Sequence, residues 1–118
     1  MAHELQSMMK LTIFIGSDER HAHHSLYSEV MNIAAECGIL GATVTKGVMS
    51  YGRRRRIHSD MNEVVMENLP LIIEIIDNDE SIEALVPRVA ELLGERGLIE
   101  LRPTKAIRLS PAEDAQEV

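Results

Sequence analysis

Tryptophan is absent from this sequence, and the aromatic side chains come to two Tyr and one Phe. A core here cannot be built on stacked rings, so it must be filled by Ile, Leu, Val and Met. Cysteine is almost absent too. The single Cys37 excludes an intramolecular disulfide and suits a reducing cytoplasm. No apolar run approaches the roughly 18–20 residues needed to cross a bilayer, and Met1 to Ser7 lack a basic-then-apolar leader pattern. The expectation is a soluble, cytoplasmic protein with no membrane insertion.

Positive charge is also scarce. The net charge of −7 opposes general binding to a polyanion. The basic residues that exist are concentrated, because Arg53 to Arg56 supply four of the twelve. What remains is one acidic body with a basic tip. With 45% apolar and 26% charged residues the 118-residue chain has the composition of a globular protein and the length of one domain. That domain is expected over 8–110, with flexible tails over 1–7 and 111–118.

Hydrophobic periodicity lays out the elements. Lys10 to Ile15, preceded by Met8 and Met9, reads as a central strand stopped by Gly16. Leu26, Val30, Ile33, Ala34 and Cys37 then fall on one helical stripe, with Ser25 at the N-cap and Gly38 after its end. A second strand opens after Gly41 and runs through Thr43, Val44, Thr45 and Val48 to about Tyr51. A polar segment over 52–68 is too long for a tight turn. Leu69 to Asp77 forms the third strand, with Pro70 at its start.

Asn78 and Asp79 offer caps for a second helix, whose stripe is Ile82, Leu85, Val86, Val89, Leu92 and Leu93. Pro87 sits inside it and predicts a kink. Leu98 to Leu101 and Ala106 to Leu109 predict one or two short final strands. The order is β-α-β-β-α-β, a ferredoxin-like α+β sandwich. Its third strand carries apolar residues at both parities, Leu71, Ile73 and Ile75 against Ile72 and Ile76. Two helices cover one face of such a sheet, so another subunit is expected to shield the other.

Several residues then invite chemistry. The arginine run suits nucleotide phosphates or an acidic partner, weighed against a solvated charged loop. Without aromatic platforms it argues against single-stranded nucleic acid. His21, His23 and His24 form a His-x-His-His cluster that could hold a divalent metal, although a polar surface loop is the favoured reading. Cys37 reads as a small buried hydrophobe. Glu74 reads as a cleft acceptor or an exposed edge residue. No Walker loop, nucleophile elbow or His-Glu-x-x-His pattern occurs, so catalysis has no positive support and no catalytic residue is assigned.

One further pattern is carried by residues in order. Gly41-Ala42-Thr43-Val44-Thr45-Lys46-Gly47, Tyr51-Gly52-Arg53 and Leu69-Pro70 resemble the middle of a PII-type regulator. Leu26-Tyr27, Arg56-Ile57-His58, Ile73-Glu74-Ile75-Ile76-Asp77 and Pro87 bring the chain nearer to the PII-like family called domain of unknown function 190. The resemblance implies a homotrimer with an adenine nucleotide as effector in inter-subunit clefts. By that likeness, Thr43, Gly52, Arg53 and Arg108 are the ligand-binding residues. Arg54, Arg55, Arg56 and His58 are expected to face a target protein, such as a transporter or channel. Gly94-Glu95-Arg96-Gly97-Leu98 stands where true PII proteins carry a Lys- and Gly-rich phosphate loop.

Overall fold

In a computed structural model of the chain, residues 4–47, 49–51, 57–59 and 69–109 are described. Strand β1 (Gln6–Gly16) leads through a small hairpin of β2 (Arg20–His21) and β3 (His24–Ser25) into helix α1 (Leu26–Glu36). Then follow β4 (Thr43–Lys46), the paired strands β5 (Met49–Tyr51) and β6 (Ile57–Ser59), β7 (Pro70–Asp77), helix α2 (Asp79–Leu93) and β8 (Gly97–Ala106). The main sheet is antiparallel in the order β4-β7-β1-β8. This is the ferredoxin-like arrangement that the element order predicts.

The apolar alternation decides which face is the core. Leu71, Ile73 and Ile75 of β7 and Leu11, Ile13 and Ile15 of β1 turn inward, where they meet Leu26, Val30 and Ala34 of α1. Ile82, Leu85, Val89 and Leu93 of α2 complete the cluster. Each Val, Leu or Ile side chain among them contributes about 1.5–3 kcal/mol by leaving water. Aliphatic packing therefore holds the helices to one face, as the scarcity of aromatics requires.

Local signals fix the helix ends. Gly38, at φ 80°, supplies the left-handed turn after α1. There Ile39 N–H bonds to Ala34 and Gly38 N–H to Ala35, satisfying two otherwise orphaned carbonyls. Ser25 occupies the N-cap of α1, but its hydroxyl donates to Ser28 Oγ instead of accepting a backbone N–H. At α2 the cap is conventional: Asn78 Oδ1 accepts from Ser81 N–H at 2.8 Å, and Asp79 and Glu80 favour the positive end of the helix dipole.

Three expectations about elements are corrected. Strand β1 begins at Gln6 and pairs from there with β8, so it takes in residues assigned to the tail and starts well before Lys10. Among the described residues after α2 there is one ten-residue strand, unbroken at Pro103 because an edge position tolerates the missing donor, and 107–109 lie outside it. The second strand is divided: β4 joins the main sheet, whereas β5 turns away to pair with β6. The polar segment 52–68 therefore includes a strand. The second helix carries through Pro87 from Asp79 to Leu93, as its apolar stripe predicts. Val48 lies outside the described residues.

Among the described residues, both helices pack on the inner face of the sheet and none lies over the outer one. Across it run Thr45, Ile72, Phe14 and Leu98 in one row, then Thr43, Glu74, Thr12 and Glu100, then Ile76, Lys10 and Arg102. Lys10 pairs with Glu74 at 3.4 Å and Arg102 with Glu100 at 2.9 Å. Glu74 is thus an ion-paired residue of an interior strand, and edge exposure does not describe it. Leu98 remains 62% exposed and Ile76 40% exposed on this face. The surface is apolar at one end and charge-balanced in the middle.

Candidate functional site

The described part of the expected ligand set converges on the end of β7. Thr43 opens β4 directly opposite Glu74. Arg108 returns from the end of β8 and donates from Nη2 to the Ile76 carbonyl at 3.1 Å, with Asp77 Oδ1 at 3.7 Å. The two residues therefore flank a stretch of β7 only two residues long, about 7 Å along the strand. Both are exposed to solvent. Asp77 closes the group: it is 5% exposed, and its Oδ1 accepts the Asn78 N–H at 2.8 Å.

Strand β4 then carries the chain away from this corner. Lys46 lies opposite Leu71, five residues along β7 from Ile76, or about 17 Å. Gly47 donates its N–H to the Pro70 carbonyl at 2.7 Å, and a Cβ at Gly47 would stand 2.5 Å from the Pro70 ring. A side chain there would push the strands apart where the chain leaves for 52–68. Gly52, Arg53, Arg54, Arg55 and Arg56 lie outside the described residues. His58 is in β6, opposite Ser50.

The histidines sit elsewhere. His21 and His24 face each other across the β2–β3 hairpin, and His23 lies in its turn, all three exposed. Arg96 secures this hairpin, donating to the Arg20 carbonyl as well as to the Leu92 and Leu93 carbonyls at the end of α2. Arg96 is thereby committed to backbone carbonyl groups. Among the described residues, no group of three or more His, Cys, Asp or Glu could hold a metal ion. The hairpin register sets His21 and His24 opposite each other.

An open groove of about 340 Å³ lies between the helices and this hairpin, lined by His21, Ile33, Arg88, Glu91 and Leu92. Arg88 is occupied there by the Glu36 carboxylate and by Cys37 Sγ at 3.7 Å. These hydrogen bonds, the Glu36 one foremost, hold the guanidinium pKa above its ordinary value. Cys37 is half-buried, in keeping with its place on the apolar stripe. Thr43 and Arg108, the described members of the expected ligand set, do not line this groove.

Asp77 is the member of the corner that chain-level patterning passes over. Its signal is parity: it shares the register of Leu71, Ile73 and Ile75, which places a carboxylate on the core face.

This architecture is PII-like. A nitrogen regulatory PII-like protein from Thiomonas intermedia K12, solved with ADP, AMP and bicarbonate, superposes with a TM-score of 0.71 at 13% identity, over 91% of this chain and 94% of that one. A PII-like signalling protein from Thermus thermophilus gives 0.67 at 17% identity, over 89% and 94%. Within that class the chain belongs to the DUF190 family, described as "Uncharacterized ACR", whose model matches residues 8–106. A UPF0166 protein of Methanocaldococcus jannaschii is 35% identical over 89 residues, 75% of this chain and 82% of its own length. One from Aquifex aeolicus strain VF5 is 32% identical over 100 residues, 84% and 92% respectively.

Among the described residues, no helix is long and apolar enough to cross a membrane.

Proposed function

We propose that this chain is a non-enzymatic, effector-responsive regulator that works as a homotrimer. Three copies bury their outer sheet faces against one another. An adenine nucleotide binds in the clefts between them through Thr43, Gly52, Arg53 and Arg108. The 52–68 loop presents Arg54, Arg55, Arg56 and His58 to an acidic surface of a target protein, such as a transporter or channel. Ligand acts by binding two loop states with different affinity, since equal affinity would shift nothing.

The observation that carries this reading is the uncovered outer face, where Phe14, Ile72 and Leu98 share one row and the neighbouring charges already neutralise one another. Such a face gains by taking its apolar row out of water, and pairing of its charges offsets part of the cost of desolvating them. The separation of Arg108 from the loop end of β4 adds support, because a cleft between copies can bring two such distant ends to one ligand. The ADP and AMP held by the Thiomonas protein support an adenine nucleotide as the effector class.

Light scattering and calorimetry test the two halves. Light scattering is expected to give the mass of three chains. AMP, ADP or ATP at 100 times its dissociation constant should stabilise the folded state by about 2.7 kcal/mol. A monomer at working concentration overturns the assembly, and no calorimetric binding of any of the three nucleotides overturns the effector.

A further inference from the structure

Asp77 is a buried carboxylate that the fold itself does not account for. It is 5% exposed, and Oδ2 has no hydrogen-bond partner among the described residues. Burying such a charge is unfavourable unless a cation or several donors compensate it. The Asn78 N–H meets Oδ1, and the cation at hand is Arg108, whose Nη2 stands 3.7 Å from Oδ1 while donating to the Ile76 carbonyl. Lys10, the cation of the neighbouring row, is on the opposite face and pairs with Glu74.

We propose that Asp77 is a positioning residue for the effector's phosphate, acting through Arg108. This rests on the nucleotide reading above and goes further, assigning the orientation of the arginine to a particular carboxylate. The guanidinium is planar, so holding one nitrogen between the Ile76 carbonyl and Asp77 restricts the plane. One of its N–H donors is used on Ile76, and the rest have no hydrogen bond to a described residue. Those donors face a phosphate oxygen already oriented. An anchored fork loses less freedom on binding than a free one. The chemistry recognised is a phosphomonoester or diphosphate, and the nucleoside part is read elsewhere.

The sign of the effect separates this role from simple proximity. If Asp77 were only a negative charge near a phosphate, neutralising it would strengthen binding. If it orients Arg108, neutralising it weakens binding. Calorimetry with AMP and with adenosine, on the wild type, D77N, R108Q and the double variant, reads the difference. The D77N protein is expected to bind AMP about tenfold more weakly, the order of one charge-assisted contact, with adenosine unchanged. The double variant should bind AMP no worse than R108Q alone.

An AMP affinity equal to or tighter than wild type in D77N overturns the inference, as does an equal loss for AMP and adenosine. Should D77N fail to fold, R108K keeps the charge without the planar fork, and the preference for AMP over adenosine is expected to fall. A preserved preference there overturns the inference as well. Wild-type protein that binds AMP and adenosine equally overturns the phosphate role alone. Wild-type protein that binds neither overturns the nucleotide reading, and the positioning role with it.

Discussion

Ala22 holds a φ of 57° at the turn of the β2–β3 hairpin, in the left-handed region where a Cβ crowds the backbone. Glycine adopts that conformation without the penalty. The substitution A22G is therefore expected to raise stability by about 1 kcal/mol, read as a higher denaturant midpoint. A fall would mean that the alanine methyl packs usefully in the turn. At this scale the sequence was partly legible. Thr43 and Arg108 were reached by resemblance, and the structure brings both to the end of β7. Asp77 was not singled out, because an aspartate ending a strand reads as a polar boundary until its register with Ile73 and Ile75 is followed through. Arg96 was passed over for a different reason. Its three carbonyl partners come from segments as distant as Arg20, and no local pattern predicts such a clasp.

The elements were more readable than the residues, since periodicity is a property of whole segments. Both helices follow their apolar stripes, and the inward face of β7 follows the alternation. The boundaries that differed are those where tertiary pairing overrides local pattern. Polar Gln6 and Ser7 join β1 because Ala106 and Lys105 lie opposite them. Strands β4 and β5 separate although the run from Thr43 to Tyr51 has one character throughout. Pro87 poses the sharpest question at this scale. It removes the donor that would reach the Glu83 carbonyl, at a typical cost of about 3 kcal/mol, yet α2 runs on to Leu93. In P87A the regained hydrogen bond should outweigh the greater freedom of the unfolded chain. A net gain of about 2 kcal/mol is expected in chemical denaturation. No gain would show that the helix has already adjusted its backbone to the ring.

For the whole molecule, the decisive feature is the sheet face left open by two helices. Placing a charge in its apolar row tests what covers it. The variant L98E changes a side chain that is 62% exposed in the single chain, so the isolated fold should tolerate it. A carboxylate buried between copies without a partner is costly, so light scattering is expected to show the proposed trimer falling apart. An unchanged mass would place the contact surface elsewhere. The oligomer expectation came from apolar residues at both parities of β7, a signal already present in the linear sequence. How copies would be arranged on that face is not legible there, because it depends on how rows from four strands align.

The strand order has a kinetic consequence as well. Strand β1, made before the rest of its sheet, lies inside that sheet between β7 and β8, so Gln6 pairs with Ala106. During synthesis β1 must wait for some fifty further residues before β7 exists, on the order of three to ten seconds at ribosomal speed. Until then an apolar strand with two unsatisfied edges is available to the wrong neighbour. Contacts so distant along the chain also place refolding among the slower small domains, in milliseconds to seconds. Newly made chains are therefore most vulnerable to mispairing early, before the strand that will protect them has been translated.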